Sequence, residues 1–379
     1  MNAPLPRKAA LPLQIGPKQT PFDGAESDPS DLLPDPHIAR QSRIALKLET
    51  LRFEEPSLNR ALLQLLTSVG LFLASCVAMY LIYPFSYWLT LLMAVPTGAL
   101  LLRVFVVQHD CGHGSFLASR RANDIIGFAC SILTLTPYAC WRRHHSVHHG
   151  NWNNLDRRPP TADIYSTCLT VQEYQALSTW GRFMCRLRYH PLVANLLLPP
   201  LIFVFLNRIP FDTPRNWVRE RWMVQGTNLA IVAAILGVGL LVGFRQVLLV
   251  HLPIVIEASI IGVWLFTLQH RFDGGTWARQ GEWSLVGASL EGSSYLRLPK
   301  ILQWFTGNIG YHHVHHLAPR IPNYRLEACH QAVPALRAVQ PITIRSSLRG
   351  IGRPLWDEER HCLVGFGDLA RKAPAGPDQ

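Results

Sequence analysis

The stretch Tyr311-His312-His313-Val314-His315-His316 organises this chain, together with a second stretch of related pattern, His144-His145-Ser146-Val147-His148-His149. Both contain the pattern His-x-x-His-His. A third short segment, His109-Asp110-Cys111-Gly112-His113, carries two histidines four residues apart. Most of the 16 histidines of the chain lie in these three windows. Such a concentration predicts that the windows meet in one site.

The composition argues against an ordinary soluble protein. Hydrophobic residues make up 49% of the 379 residues, only 16% are charged, and the mean hydropathy is positive. Apolar residues also come in long uninterrupted blocks, which is typical of membrane-spanning chains. The net charge of +11 comes mainly from arginines that flank these blocks. We therefore attribute the basic balance to membrane topology and expect no nucleic-acid partner.

Three segments are predicted along the chain. Residues 1–38 are rich in Pro and Asp, show no signal peptide and are predicted to be disordered. Residues 39–369 are predicted to form a single membrane domain, and residues 370–379 a disordered tail. None of the eight cysteines forms a Cys-x-x-Cys pair, and several lie in apolar blocks, so we expect reduced, structural thiols.

Four blocks are apolar enough, and close enough to the ~20 residues that a bilayer requires, to cross it. They are residues 61–83, 87–107, 227–243 and 246–268. The apolar runs 122–140 and 194–207 are shorter and contain Gly or Pro.

If the histidine windows share one side of the membrane, an even number of crossings separates each from the next. The run 122–140 is therefore predicted to be interfacial or re-entrant. The run 194–207 is also predicted to enter the membrane and return to the same side. It is the shortest run, contains Pro199-Pro200 and has arginines on both flanks. The predicted fold is an all-α integral membrane protein with four transmembrane helices, interfacial helices and a histidine-rich cytoplasmic cap, both termini being cytoplasmic.

Helical spacing turns the three windows into a set of candidate metal ligands. Residues at i, i+3 and i+4 share one face of a helix, so each His-x-x-His-His window presents three imidazoles together. Imidazole suits zinc, copper, iron and nickel, and eight imidazoles are too many for one metal but suit two. The predicted ligands are His109, His113, His145, His148, His149, His312, His315 and His316.

Three other polar residues near the windows are predicted to bind a metal or to support its ligands. His270 directly follows the fourth span, at the membrane depth of His109, and is predicted to be a ninth ligand. Asp110 is predicted to orient a neighbouring imidazole, and Asn308 to hydrogen-bond a metal-bound water or a ligand histidine. The remaining histidines are interpreted as packed, surface or neighbouring residues: His37, His144, His190, His251, His313, His330 and His361.

The membrane setting helps to choose between metals. Zinc favours hydrolysis, which normally needs an open coordination position and a general base. Iron favours dioxygen activation and attack on C–H bonds, which side-chain acid–base chemistry cannot break. Because a chain with so much aliphatic surface implies a lipid substrate, iron is the favoured metal. No catalytic residue beyond the metal centre and no organic cofactor is predicted.

Three stretches carry a family resemblance: His109-Asp110-Cys111-Gly112-His113-Gly114-Ser115-Phe116, Trp141-Arg142-Arg143-His144-His145-Ser146-Val147-His148-His149, and Asn308-Ile309-Gly310-Tyr311-His312-His313-Val314-His315-His316-Leu317. On these residues the chain resembles the membrane fatty acid desaturases of the acyl-lipid type, in particular bacterial members described as omega-6 or linoleoyl-type desaturases. The resemblance runs from about residue 53 to residue 369. It is highly specific for the superfamily and weakly specific for the position of the double bond.

The resemblance implies a reaction and its components. It implies a non-haem centre of two Fe ions, O2, and two electrons from an external ferredoxin-like or cytochrome-like donor. It also implies that two hydrogens are removed from a lipid-linked acyl chain to leave a cis double bond, in an enzyme of the inner (cytoplasmic) membrane. The eight histidines of the windows, with His270, are the iron ligands that it implies.

The chain departs from the family pattern in two places. The stretch after the extra histidine, Arg271-Phe272-Asp273, is less acidic than is usual, and Leu290-Glu291-Gly292-Ser293-Ser294-Tyr295 lacks histidine. Both departures bear on substrate choice, not on the metal centre. No His-Pro-Gly-Gly stretch of a haem domain occurs, so the electron donor is expected to be a separate protein.

Two other functions remain open at this point. A lipid hydroxylase or carotenoid-modifying oxygenase of the same superfamily shares the first hydrogen abstraction, so ligand spacing does not separate it from a desaturase. A histidine-rich metal transporter is a more remote alternative, because a transporter places polar residues at mid-membrane and these spans offer almost none.

Overall fold

The computed structural model describes residues 36–158, 165–347, 350 and 352–370, with residues 36–43 and 370 described by their backbone alone. The first 35 residues of the segment predicted to be disordered, and the tail from residue 371, lie outside the described residues. A helix begins at Pro36, so the last three residues of the predicted disordered segment are helical.

The described part of the chain is mostly helical, with two very small sheets. We number its helices α1 Pro36–Leu51, α2 Leu58–Ile82, α3 Tyr87–His113, α4 Arg120–Leu133, α5 Tyr138–Asn151, α6 Val171–Ala176, α7 Thr179–Arg188, α8 Val193–Arg208, α9 Val218–Val242, α10 Phe244–His270, α11 Leu285–Leu290, α12 Lys300–Phe305, α13 His312–Leu317, α14 Asn323–Ala332, α15 Pro334–Arg337 and α16 Ile344–Ser347. The strands are β1 Leu169–Thr170, β2 Tyr295–Leu296, β3 Pro341–Ile342, β4 Leu355–Asp357 and β5 Cys362–Val364.

Four helices are long and apolar enough to cross a membrane, as the sequence predicts: α2, α3, α9 and α10. The helices α2 and α9 begin before the predicted spans, and α3 and α10 continue past their ends because backbone hydrogen bonding goes on beyond the last apolar residue. Thus α3 runs through His109 to His113, and α10 ends at His270. The first histidine window therefore lies on the end of a spanning helix.

The helix α3 is the central element of the bundle. In its apolar window 61% of residues are buried, against 22–28% in the other three spans. It packs closely against α10 at Gly98, where an added Cβ would lie 3.1 Å from Glu257 Cβ and 3.3 Å from the Ile254 carbonyl oxygen. Glu257 is also an exception to the apolar character that the sequence suggests for this span. Many large apolar side chains of α2 and α9 remain exposed, as is typical of helices that face lipid.

The two shorter apolar runs form bent helix pairs. The helices α4 and α5 meet at an angle of 106°, and α7 and α8 at 56°. The first bend contains Leu135, with φ of +53°, and Pro137, whose ring disfavours a helical residue before it. Because the histidines of α3 and α5 approach one another, the chain between them returns to the side from which it started. This geometry agrees with a re-entrant run at 122–140.

The remaining elements form a cap over one end of the bundle. In the cap, β1 pairs with β4 in parallel and β4 with β5 antiparallel, while β2 and β3 form a separate parallel pair. The strand β2 also bridges Tyr311 at the start of α13. The cap thereby holds the short helix α13 against the ends of α3 and α10, and all six residues of α13 except Leu317 are buried. All eight cysteines are free, as expected.

Candidate metal centre

Four helices bring nine histidines together beneath the cap. Two come from the end of α3, three from α5, one from the end of α10 and three from α13: His109, His113, His145, His148, His149, His270, His312, His315 and His316. These are the nine predicted ligands. Eight of the nine, all except His113, approach a histidine of another helix with Nε2–Nε2 distances of 2.9–3.2 Å. The expected convergence of the three windows is therefore seen in the fold.

The imidazoles divide into two groups. The first group contains His109, His113, His145, His149 and His315, which each offer one nitrogen within 4.8 Å of all the others. The second contains His148, His270 and His316 by the same criterion, and His312 joins it because its Nε2 lies 3.2 Å from Nε2 of His270. We call them the five-imidazole group and the four-imidazole group.

Hydrogen bonds between imidazoles cannot account for the four-imidazole group. Nδ1 of His270 lies 2.7 Å from the carbonyl oxygen of Phe266, so Nδ1 carries the proton and Nε2 presents a lone pair. That single Nε2 lies 2.9 Å from His148, 3.2 Å from His312 and 3.2 Å from His316, each measured to Nε2. One lone pair cannot accept hydrogen bonds from three N–H donors. A cation among the four nitrogens, in contrast, can bind the lone pairs of all four.

The distances also fit a metal. Imidazole nitrogens bind zinc at about 2.0–2.1 Å, and two nitrogens at a right angle around such an ion lie about 3.0 Å apart. In the five-imidazole group, His145 Nε2 lies 3.1 Å from both His109 and His149, and His149 lies 3.0 Å from His315. The residues present therefore fit two nitrogen-ligated metal ions.

Burial keeps these histidines in the form that a metal needs. Burial and neighbouring imidazoles lower the pKa of His145, His149, His312, His315 and His316 well below the usual range of histidine. The same causes lower the pKa of His148 to about 3. At neutral pH these rings are uncharged and offer lone pairs, which metal binding requires.

Asp110 lies behind the five-imidazole group, next to His109. Its Oδ1 lies 3.2 Å from Nδ1 of His109, which directs Nε2 of that ring into the group. Its Oδ2 accepts hydrogen bonds from the backbone and side-chain amides of Asn323, both at 2.7 Å, and Asn323 Oδ1 accepts from Gln64 at 2.8 Å. Asn323 and Gln64 were not singled out from the sequence, because their link to the site crosses more than 200 residues of chain.

Asn308 lies one step further from the ligands than the sequence suggests. Its φ is +60°, and its side-chain amide donates to the carbonyl oxygen of Asn323 at 3.3 Å. A hydrogen bond to a ligand histidine is not among the contacts of its described side chain. Asn308 thus supports the residue that holds Asp110, and the predicted contact with a metal-bound water stays a prediction.

Two tryptophans fix the orientation of the rings. Trp141 stacks on His145 with centroids 4.6 Å apart, and Trp152 meets His270 edge-on at 4.3 Å. The indole Nε1 of Trp152 donates to the carbonyl oxygen of Gly292 at 3.0 Å, which anchors that ring. Trp152 was missed in the sequence, where it lies three residues after the second window and carries no ligand atom.

The two window histidines set aside as neighbours lie outside both groups. His144 points towards Asp212, at 3.8 Å, and Trp217, at 5.0 Å between ring centroids. His313 contacts His330, with 3.1 Å between ring nitrogens. Cys140 joins His144 and Asp212 in a smaller set of possible ligands, but burial raises the pKa of the Cys140 thiol and its Sγ contacts Thr213 at 3.0 Å. That set is therefore a poor thiolate site.

Comparison with known proteins places the chain among lipid-modifying enzymes. The family model described as fatty acid desaturase matches residues 84–347, which include all nine histidines. The chain is 42% identical over 314 residues to a fatty acid desaturase of Bacillus subtilis, covering 83% of this chain and 88% of that protein.

More distant relatives carry more specific names. The chain is 28% identical over 318 residues to an sn-1 acyl-lipid omega-3 desaturase (ferredoxin) of Synechocystis, covering 80% of each protein. It is also 28% identical over 276 residues to a chloroplastic sn-2 acyl-lipid omega-3 desaturase (ferredoxin) of Helianthus annuus, covering 68% of this chain and 57% of that protein.

Proposed function

This chain belongs to the fatty acid desaturase family, and from that premise we propose that it introduces a cis double bond into a lipid-linked acyl chain at a centre of two iron ions. The family supports an acyl desaturase activity. The proposal of two iron ions rests on one observation. Five and four imidazoles form two adjacent groups at the ends of spanning helices.

The reaction balances with components from outside the chain. One O2, two electrons and two protons are consumed together with two acyl hydrogens, giving one double bond and two molecules of water. Iron, when bound by the nine histidines, would supply the dioxygen chemistry that breaks an unactivated C–H bond. The protein residues hold the ligands in place: Asp110 orients His109, the Phe266 carbonyl orients His270, and Trp141 and Trp152 pack against the rings.

The setting of the site supports a lipid substrate and an external electron donor. Ligands at the ends of α3 and α10 lie where these helices leave the bilayer, so the acyl chain of a membrane lipid can reach them. A ferredoxin-like or cytochrome-like protein is the proposed donor, and two relatives with ferredoxin in their names support this choice. We further propose an inner-membrane location, with the cap and both termini in the cytoplasm and the domain spanning residues 39–369.

The test is expression of the chain in a bacterium of known lipid composition, followed by mass spectrometry of the acyl chains. We expect a new double bond that disappears in His148→Ala, together with reduced bound iron. The matched control is His144→Ala on the same helix, which keeps activity because His144 lies outside both groups. A hydroxylated lipid without a new double bond would favour the hydroxylase alternative, and activity retained in His148→Ala would contradict the ligand assignment.

A further inference from the structure

The second histidine window lies on a helix whose outer face is exposed. Along α5, His145 and His149 belong to the five-imidazole group, whereas Arg143, Ser146 and Gly150 on the opposite side are exposed. A Cβ added at Gly150 would meet no atom of the described chain within 4 Å. By contrast, α13 carries its window inside the cap, with all of its histidines buried. The helix α5 therefore offers a partner a closer approach to the ligands than α13 does.

Small residues form the centre of this face. In the chain, Ser146 and Gly150 each adjoin a histidine of the five-imidazole group, and Gly112 and Gly114 flank His113 at the end of α3. The His113 ring lies 4.8–4.9 Å from the rings of those two histidines, measured between centroids, so the end of α3 borders α5 at this point. Electron transfer slows steeply with distance. A protein seated on these small residues, one position away from the ligands, would therefore reach the metal centre by a short path.

The rim of the face is basic. Six arginines lie on α5 and at the starts of α4 and α9 beside it: Arg120, Arg121, Arg142, Arg143, Arg215 and Arg219. Two carboxylates pair with α5, Asp124 with Arg142, and Glu220 with Arg143 at 3.0 Å, while Asp212 lies 3.8 Å from His144. The other four arginines form no ion pair with a carboxylate of the described residues, so the rim keeps a net positive charge.

The composition of this face fits a soluble partner and not the bilayer core. Over its 14 residues, α5 exposes no large apolar side chain. The neighbouring helices do expose such side chains, with Ile125 on α4 exposed by 70% and Trp222 on α9 by 72%. Arginine is costly in hydrocarbon, so the outer face of α5 belongs at the membrane surface while its neighbours face lipid. A basic surface in that position complements an acidic protein.

We propose that this face binds the acidic one-electron carrier that reduces the metal centre. We call it the donor face, with Ser146 and Gly150 at its centre and the six arginines at its rim. Two carriers each lose one electron in a turnover, which supplies the two electrons of the reaction balance. The rim charges attract and orient the carrier, and the small residues permit close contact. The proposal rests on the proposed function, because it assigns the place at which the external electron donor acts.

Binding of an acidic [2Fe–2S] ferredoxin to the iron-loaded full chain in detergent tests the donor face. We expect Ser146→Trp to weaken binding by roughly tenfold or more, because the indole obstructs close contact. Arg121→Glu should slow association at low salt and lose this effect at high salt, since it reverses a rim charge. The matched controls are Ala338→Trp and Arg345→Glu, at exposed positions of the cap outside the donor face.

A second readout separates docking from damage to the metal centre. After anaerobic mixing, reduced ferredoxin should reduce the bound iron more slowly in Ser146→Trp than in the unchanged chain. Dithionite is small and needs no docking, so it should reduce the iron of both chains equally fast. The amount of bound iron should also be the same in both.

Three outcomes would overturn the assignment. They are unchanged ferredoxin affinity in either donor-face variant, an equal loss of affinity in the two cap variants, and displacement of ferredoxin by phosphatidylglycerol micelles. The last result would identify the face as a lipid contact. If Ser146→Trp loses iron, Arg121→Glu still carries the test, because it lies on a different helix.

Failure of this proposal and failure of the proposed function give different results. A chain that binds ferredoxin at the donor face but forms no double bond would contradict the proposed function alone. Double-bond formation with ferredoxin that is indifferent to both donor-face variants would contradict this proposal alone.

Discussion

The two His-x-x-His-His windows have the same spacing but distribute their imidazoles between the five-imidazole and four-imidazole groups in opposite ways. On α5 the i and i+4 pair, His145 and His149, joins the five-imidazole group, and the i+3 residue His148 joins the four-imidazole group. On α13 the pair His312 and His316 joins the four-imidazole group, and His315 the five-imidazole group. The third pair, His109 and His113 on α3, again stays together.

Helical geometry explains this division. Residues four apart lie about 40° apart around a helix axis, whereas i+3 and i+4 point about 100° apart. Each window therefore faces two sites at once, and the two helices must approach from different directions for their contributions to complement each other. Their surroundings differ as well: α5 is a 14-residue helix with a partly exposed face, whereas α13 is a six-residue helix held inside the cap.

Adjacent substitutions on α13 give the largest expected effect on this comparison. His315→Ala leaves four imidazoles in one group, whereas His316→Ala leaves three in the other. We expect both to lower activity by about a thousandfold, because a metal contributes several kcal/mol to the reaction. Iron analysis should show the greater loss in His316→Ala, towards one iron per chain. His313→Gln changes a histidine of the same helix that lies outside both groups, so it should keep both the activity and the bound iron. Equal iron in all three variants would refute the division of the imidazoles into two groups.

The groups also differ in what orients their ligands, and a substitution at Asp110 tests that difference. A side-chain carboxylate holds His109, but a backbone carbonyl holds His270. Asp110→Asn should lower iron affinity of the five-imidazole group by roughly 10- to 100-fold, as loss of such supporting contacts usually does. Chelator competition measures this, and Asn323→Ala should reproduce part of the effect by releasing Asp110. Loss of iron from the four-imidazole group instead would show that the carboxylate serves the other site.

A smaller effect is expected on the stability of the iron-free chain when the pH is lowered. His148 on α5 and His313 on α13 both have a pKa lowered to about 3 by burial, against about 6.5 in the unfolded chain. The unfolded state therefore binds more protons between these values, and the stability present above pH 6.5 is lost as pH falls. At pH 5, each of these two histidines should lower the free energy of unfolding by on the order of 2 kcal/mol relative to its value above pH 6.5.

Thermal unfolding of the iron-free chain in detergent at pH 7 and pH 5 measures this loss. His148→Gln and His313→Gln should each flatten the pH dependence by a similar amount, since the pKa of each ring is lowered to about 3. An unchanged slope in either variant would show that its ring is protonated in the fold. A difference between the two would reveal that the windows differ in water access as well as in position.

Much of the architecture followed from local sequence. Blocks of apolar residues identified the four spans, because a bilayer requires a nearly fixed length of uncharged chain. The requirement that three windows share one side predicted a re-entrant run at 122–140, where the structure has two helices bent by 106°. The ends of the spans were less predictable: α3 and α10 continue through polar residues to His113 and His270, because the cap buries these residues and no apolar signal marks them.

The sequence alone determined which histidines are candidates, since spacing of three and four residues along a helix is a local property. It also separated His144 and His313 from the other window residues. Only the tertiary structure decided which imidazoles share a group, how Asn323 and Gln64 support Asp110, and that the outer face of α5 is exposed beside the metal centre. These relations depend on the approach angles of helices that are distant in sequence, and on burial, which is a property of the assembled bundle and cap.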